Sequence, residues 1–583
     1  MSVSREQAGG LYRSAHAARD GDPPPPDDIP VISVDTQLPG AAAADDHTAV
    51  PDGGTAGQSA IMAAGSLVSR VVGFLRNALI GMTLGAVVGD AYTSAQFLPG
   101  QIYELLLGGI LSSVLIPLLV RRRKADPDGG AAYTQKLLTF AVVGLGAATV
   151  LMVAAAPLIT AIQASRSSEQ YQHLVTLFAY LILPIIFFTG LSALIAAVLN
   201  VRGHFAAPMW APILNNLVVI ATCGVFIAAF GTARSLAPAD MTPGMILLIG
   251  GGTLLGMVAQ AAGLLPALRR VGFRWAWRWD PRALGLREIG RLAAWMFCYV
   301  AANQVAVFVV VNMLNGVGGD HAGVLIFNNV FLLTMMAHGI IGVSVMTALL
   351  PKMSAAAADG RYADVSADLS RGIRLTATAL APIAVIYGVL AAPIAVTLFQ
   401  GGRFTSDMSA ATAGVLVVGA FAVLPLSISY LCTYTFYSLQ GNKTAALINL
   451  PVVGVRIAAY VLLAAVLSDA LVAAGMTAGN ALSYLVSAVI SLAVLRRRIG
   501  RLNLGSVARA LLKVLLAAAV AAVLGFVVVR LLPGGDPPRR PAAILQLLVG
   551  GTVIFVGYLG AAAALRVHEV GQVTAMVRRK LRR

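Results

Sequence analysis

The chain has 583 residues, of which 58% are hydrophobic and only 11% charged, with a mean hydropathy of +0.81. A soluble domain carries about 25% charged residues, so this composition excludes a water-soluble fold. Apolar runs of twenty or more residues recur without strand-like alternation, which makes the chain an all-α polytopic membrane protein and not a β-barrel. Its net charge of +17 must therefore be placed on loops before it is read as a footprint for nucleic acid.

Residues 1–57 are polar and include Asp22-Pro23-Pro24-Pro25-Pro26-Asp27-Asp28. They lack the basic and apolar regions of a signal peptide and read as a disordered cytoplasmic tail. About fourteen spans follow, each long enough for ~30 Å of hydrocarbon at 1.5 Å per residue. Their expected limits are 59–84, 91–120, 133–160, 173–200, 208–230, 244–267, 289–315, 322–350, 372–399, 409–438, 444–467, 470–495, 506–532 and 541–565. With the N-terminus inside, the cytoplasmic loops collect Arg121-Arg122-Arg123-Lys124, six arginines from Arg269 to Arg287, Arg496-Arg497-Arg498 and the basic end Arg578 to Arg583. The external loops hold only Arg166, Arg234, Arg403, Arg530, Arg539 and Arg540. This asymmetry places both termini in the cytoplasm and accounts for most of the net charge by topology and anionic lipid. The loop Phe273-Arg274-Trp275-Ala276-Trp277-Arg278-Trp279 has the makings of a base-stacking platform, but interfacial Trp and Arg on lipid headgroups is its ordinary reading; no nucleic-acid partner is expected.

An internal repeat is visible. Gly108-Gly109-Ile110-Leu111-Ser112-Ser113-Val114-Leu115-Ile116-Pro117 ends span 2, and Gly342-Val343-Ser344-Val345-Met346-Thr347-Ala348-Leu349-Leu350-Pro351 ends span 8. The turn from Asn200 to Phe205 after span 4 matches that from Gln440 to Thr444 after span 10. The expected organisation is a six-helix lobe at 58–270, a second at 271–500, two additional helices within 501–570 and a basic cytoplasmic tail at 571–583. Parallel halves around a central site are a transporter architecture.

Span 1 contains Ser69-Arg70-Val71-Val72-Gly73-Phe74-Leu75-Arg76-Asn77. An arginine at the bilayer centre costs roughly 2.5–3.5 kcal/mol on insertion scales, so two require a reason. At about 100° per residue, Ser69, Arg70, Gly73, Arg76, Asn77 and Gly81 share one arc about 140° wide. A polar face at that depth must meet protein or a watery cavity. Two guanidiniums about 9 Å apart along the axis suit a diphosphate, because the planar fork stays charged and binds phosphate bidentately. Arg70, Arg76, Ser69 and Asn77 are thus candidate substrate-binding residues. The structural alternatives are pairing of Arg70 with Glu104 in span 2 and snorkelling of Arg76. Arg456 in span 11 is the other unexpected charge, and Asp90 sits at the outer end of the first hairpin; with Glu104 they are candidates for gating or charge pairing.

Catalytic signatures are absent. No phosphate-binding G-x-x-x-x-G-K-[ST] occurs, no H-E-x-x-H and no nucleophile elbow. Cys223, Cys298 and Cys432 lie in apolar runs and form neither a disulfide framework nor a zinc set. No catalytic residue, metal or cofactor is expected; energy would come from an ion gradient, the membrane potential or the substrate gradient.

Ser69 to Arg76 with Gly89-Asp90-Ala91-Tyr92 resembles the opening hairpin of MurJ/MviN-type lipid II flippases. Leu199-Asn200 with Phe205, Pro208 and Ala211-Pro212, then Gln400-Gly401-Gly402-Arg403-Phe404-Thr405, then Phe436 to Gln440 leading to Lys443-Thr444, extend the resemblance over about residues 58–570. It implies a fourteen-helix fold of the MOP exporter superfamily in a bacterial cytoplasmic membrane, with two lobes around a cationic cavity that opens alternately to each side. The implied substrate is undecaprenyl-diphosphate-linked MurNAc-pentapeptide-GlcNAc, lipid II, for cell-wall synthesis. The implied partners are membrane lipids, with other cell-wall synthesis proteins left open. The family's first-helix arginines carry over onto Arg70 and Arg76, and its hairpin aspartate onto Asp90. Two departures matter. Relatives often have an arginine in span 2 where this chain has Tyr103 and Glu104, and another in span 8 where it has Leu332. Some relatives bind sodium near spans 7 and 11, where Arg456 disfavours a cation, so the coupling ion stays open. The chain ends without the kinase-like extension of some actinobacterial relatives. Two competing readings remain: an exporter of the same superfamily for another lipid-linked saccharide or a drug, and a non-transporting scaffold of cell-wall synthesis.

Overall fold

The computed structural model describes residues 55–104, 115–232, 235–317, 323–500, 502–535 and 538–570. The expected tails at 1–57 and 571–583 lie almost wholly outside the described residues, as does most of the motif Gly108 to Pro117. Within them the chain is helical, with a single isolated β-bridge between Gly401 and Phe404.

The helices are α1 (Thr55–Leu84), α2 (Ala86–Tyr103), α3 (Ile116–Ala125), α4 (Ala131–Ala154), α5 (Ala156–Gln163), α6 (Glu169–Ile182), α7 (Ile185–Val201), α8 (Ala206–Phe230) and α9 (Pro243–Arg270). They continue with α10 (Leu286–Asn315), α11 (Val324–Ala337), α12 (Val343–Ala358), α13 (Tyr362–Val389), α14 (Ala391–Leu398), α15 (Ser406–Ser438), α16 (Asn442–Val466), α17 (Asp469–Ile499), α18 (Leu504–Leu531) and α19 (Arg540–Ala564). Among the described residues, 12 stretches are long and apolar enough to cross a membrane. α1 and α2 stand at the positions of the first two expected spans, and the stretch between α2 and α3 lies outside the described residues.

Local chemistry sets the helix ends. Gly85, at φ 78°, separates α1 from α2 without a Cβ penalty. Ser168, Thr242 and Thr405 cap α6, α9 and α15 by accepting from the amides of Tyr171, Met245 and Met408. The two turns paired by the sequence repeat close identically. His204 N donates to Leu199 O at 2.9 Å and Gly441 N to Phe436 O at 2.7 Å, each spanning five residues, the bond of a Schellman motif. Gly203 and Gln440 supply its left-handed residue.

Small residues let the helices approach. On α9, Gly252 lies against Thr222 and Gly256 against Asn215, both on α8, the small-x-x-x-small contact of membrane bundles. Residues from Ile80 to Leu284 build one apolar core, from α1 to the loop after α9; residues of α10, α11, α13 to α19 and Ala78 of α1 build a second, and Met346, Leu349, Met353, Leu369, Phe436 and Leu495 belong to a third around α12. Large apolar side chains cover the outside, such as Leu531 (79% exposed) and Phe421 (74%). In water this surface would aggregate; in hydrocarbon it is the solvent-facing side. The Trp-rich loop after α9 is pinned to α4: Gln135 donates to Arg274 O and Lys136 pairs with Asp280 at 2.8 Å. That Lys136 bond holds the Asp280 carboxyl below the usual carboxylate range.

Candidate functional site

The polar arc of α1 is real, but two neighbours divide it. One side faces α8: Gly65 lies under Trp210, and Asn216 packs on Gly73 while donating to Ser69 O at 3.3 Å. Ser69 is half-buried there. The other side faces α11: Gly81 lies against Leu325 and Phe404. The two arginines part accordingly. Arg70 is exposed, and its guanidinium rests on Gly339 with His338 close enough to feel its charge. Both neighbours belong to a π-helical turn, His338–Gly342, that joins α11 to α12. Such turns widen a helix locally and recur at functional sites. Arg76 is half-buried, and its Nη2 donates to Asn77 Oδ1 at 3.2 Å.

The structure therefore gives Arg70 and Arg76 different surroundings. The Arg70–Glu104 ion pair offered by the sequence is not formed. Neither arginine has a carboxylate within 4 Å among the described residues, and Glu104 is exposed at the end of α2. Leu332 is half-buried on α11. Arg456 is held by neutral groups: Nε donates to Ser483 Oγ at 2.9 Å, Nη1 to Asn303 Oδ1 at 3.3 Å, and the guanidinium lies 5.2 Å from the Tyr484 ring centre. It joins α10, α16 and α17.

Asp90 has a structural task. Its carboxyl group is buried and accepts from the amides of Gly323 (2.6 Å), Val324 (3.1 Å) and Leu325 (2.7 Å). Those are the first orphan donors of α11, at the positive end of its dipole. Thus the hairpin of α1 and α2 caps a helix of the second core.

Arg403 mirrors it. Its Nη1 donates to Thr83 O at 2.6 Å and its own amide to Met82 O at 2.8 Å. These are the last carbonyls of α1, the negative end of that dipole. Gly402 is in a left-handed conformation, and a Cβ there would meet Met82 O at 2.5 Å, so glycine is required twice over. Asn315 adds a third tie at the same end. Its Oδ1 accepts from Ser94 Oγ (2.7 Å) and Tyr171 OH (2.9 Å), and its Nδ2 donates to Gln163 O (3.2 Å). Together Asp90, Arg403 and Asn315 latch the two cores at the end of the bundle where α1 stops. Sequence reasoning singled out Asp90 as a site residue and met Arg403 only as an external basic residue and part of a family motif. The signal for Arg403 was available: an arginine after Gly401-Gly402, on the side of the membrane where basic residues are scarce.

The sequence model of the family described as "Lipid II flippase MurJ" matches residues 79–534. A relative from Burkholderia cenocepacia, described as lipid II flippase MurJ, is 27% identical over 387 residues, covering 65% of this chain and 72% of its own length. Among solved structures, one described as lipid II flippase MurJ in an inward closed conformation matches with a TM-score of 0.67 at 16% identity, covering 87% of this chain and 99% of that one. An inward-facing multidrug resistance MATE family transporter of the MOP superfamily matches with a TM-score of 0.59 at 17% identity, over 74% of this chain and 95% of its own. At these identities the two structures speak for a shared polytopic helical fold.

Proposed function

The chain belongs to the MurJ family of lipid II flippases, transporters and not enzymes, and we propose that it carries lipid II from the cytoplasmic to the outer leaflet by alternating access. Two lobes, at 58–270 and 271–500, rock against each other around a central cavity. Both termini are cytoplasmic, so the latch of Asp90, Arg403 and Asn315 closes the external end, while the end around Arg70 and Glu104 receives substrate from inside.

The observation that supports this reading is Arg70: a guanidinium on the first expected span, exposed, with no carboxylate within 4 Å among the described residues. Intramembrane charge without a counter-ion marks a substrate path by default, and a cation selects an anionic headgroup. A drug exporter for organic cations would present an acidic site; here Asp90 is consumed by helix capping. Energy would come from an ion gradient, the membrane potential or the substrate gradient.

The test is lipid II exposure at the outer face of intact cells after depletion of the protein. Re-expression of the normal chain should restore exposure. Arg76→Ala should insert at normal abundance and fail to restore it, and Arg76→Lys should restore it in part, because the bidentate fork is lost. Unchanged exposure on depletion, in cells with no second flippase, would favour a scaffold or another substrate.

A further inference from the structure

The π turn between α11 and α12 is built around two basic side chains. Val343 N donates to His338 O, five residues back, which sets one residue more into the turn than an α-helix holds. Two glycines make the room. Gly339 leaves space for the guanidinium of Arg70 from α1, and a Cβ on Gly342 would meet His338 Nδ1 at 2.6 Å. His338 is buried, at 5% exposure, and its ring centre lies 4.8 Å from that of Tyr430 on α15. An ionisable side chain inside a membrane bundle is costly and is a functional group by default.

Hydrogen bonds fix where this imidazole takes up a proton. Ser427 Oγ on α15 donates to Val423 O at 3.0 Å, and a hydroxyl has one hydrogen to give. Ser427 must therefore accept from His338 Nδ1, 2.9 Å away. Nδ1 carries the ring proton, and Nε2 keeps a lone pair with no hydrogen-bond partner among the described residues. The ionisable groups around the turn are few. α1 brings Arg70, and α15 brings Tyr430 and, one turn on, Tyr434. α13 has none between Arg374, paired with Glu569 at 2.7 Å, and Tyr387, which donates to Leu333 O. α11 and α12 hold no carboxylate, and their only other charge is Lys352, about four turns away. No acid stands by to offset a charge on the imidazole, and the cation seated on the next residue opposes it.

We propose that His338 Nε2 is a proton-binding site that competes with Arg70 for the π turn, and that this proton is the coupling ion of transport. A proton from the medium adds to the Nε2 lone pair and makes an imidazolium; no bond breaks and no other reactant is needed. Two cations then sit on adjacent residues of a turn away from bulk water, where their repulsion is strong. Arg70 leaves its seat on Gly339, and α1 gives up its hold on the end of α11 that lies away from the latch. Return of the guanidinium expels the proton. Proton occupancy thus sets which arrangement of α1 against α11 is favoured. That the proton drives lipid II movement rests on the flippase reading; the competition between proton and guanidinium does not.

The experiment uses the full chain in lipid nanodiscs with isotopically labelled histidine and follows the ring nitrogens by NMR across the imidazole range. His338 is assigned by its loss in His338→Gln. At high pH the Nδ1–H tautomer is expected. Arg70→Gln removes the opposing charge, and Gly339→Ala displaces it by setting a methyl at its seat. In each, His338 should titrate about one pH unit higher, a tenfold gain in proton affinity. Arg70→Lys keeps a charge and should stay closer to the normal chain than either. An Nε2–H tautomer, or a titration unmoved by both Arg70→Gln and Gly339→Ala, would overturn the proposal. In proteoliposomes containing lipid II, with one pH on both sides, translocation by the normal chain should vary with pH. His338→Gln cannot take the proton and should give a flat profile; an equally steep profile in that variant would overturn the coupling role. No lipid II movement at any pH, with the titration linked to Arg70 as expected, would uphold the proton site and sink the flippase reading.

Discussion

At the scale of single residues, the latch uses helix ends as its binding partners. Asp90 meets three amides at the start of α11 and Arg403 meets two carbonyls at the end of α1. Each charge type is matched to the pole that favours it. Neither contact needs a complementary side chain; when the latch parts, Asp90 and Arg403 each give up backbone partners and must be solvated instead. Asp90→Ala leaves the three amides without their acceptor. The expected loss is about 2 kcal/mol, roughly thirtyfold in the closed-to-open ratio. Asp90→Asn keeps the shape but sets an N–H₂ against an N–H, and should lose less. The readout is the alkylation rate of a cysteine placed at Ser94, itself a partner of Asn315 in the latch and present in all three chains compared, with the exposed Cys298 replaced by serine. The rate should rise from the normal chain to Asp90→Asn to Asp90→Ala. An equal rate in all three would mean that the cap does not hold the latch shut.

At the scale of elements, what the sequence discloses depends on how far away the deciding contact lies. The turns at Gly203 and Gln440 were legible, because a left-handed residue and the amide after it settle a helix end locally. The polar arc of α1 was legible as an arc, since period alone defines it. Its division between α8 and α11 was not, because Asn216 and Leu325 are far along the chain and nothing in α1 names them. The π turn at His338–Gly342 was also hidden; its glycines announce a close approach but not which group approaches. That group is the guanidinium of Arg70. Gly339→Ala would set a methyl where the guanidinium now lies. The neighbour is the far end of a flexible side chain, so the helix should tolerate the change within about 0.5 kcal/mol. Translocation should fall, because Arg70 is displaced from its place by the π turn. A normal melting temperature with impaired lipid II exposure is the expected pair of results; full activity would remove Arg70's position from the mechanism.

For the whole molecule, the latch and the Arg70 end place the described contacts unevenly. One end of the seam is tied by Asp90, Arg403 and Asn315, while at the other Arg70, Glu104, Ile340 and Val343 are exposed. An alternating-access protein must exchange this asymmetry for its opposite, so any covalent bond across the latch should stop it in one half of its cycle. Ser94 and Asn315 offer the site, because their side chains already touch at 2.7 Å across α2 and α10. Replacing both with cysteine, in a chain with Cys298 changed to serine, leaves only Cys223 and Cys432, which are buried. Oxidation should join the pair without unfolding the protein, since the cross-link fixes a contact that the folded chain already makes. The joined protein should still admit lipid II to the end around Arg70 and fail to deliver it to the outer leaflet; reductant should restore delivery. If the oxidised protein delivers lipid II at the normal rate, the two cores do not part at this end during transport, and the rocking of one lobe against the other is the wrong motion for this chain.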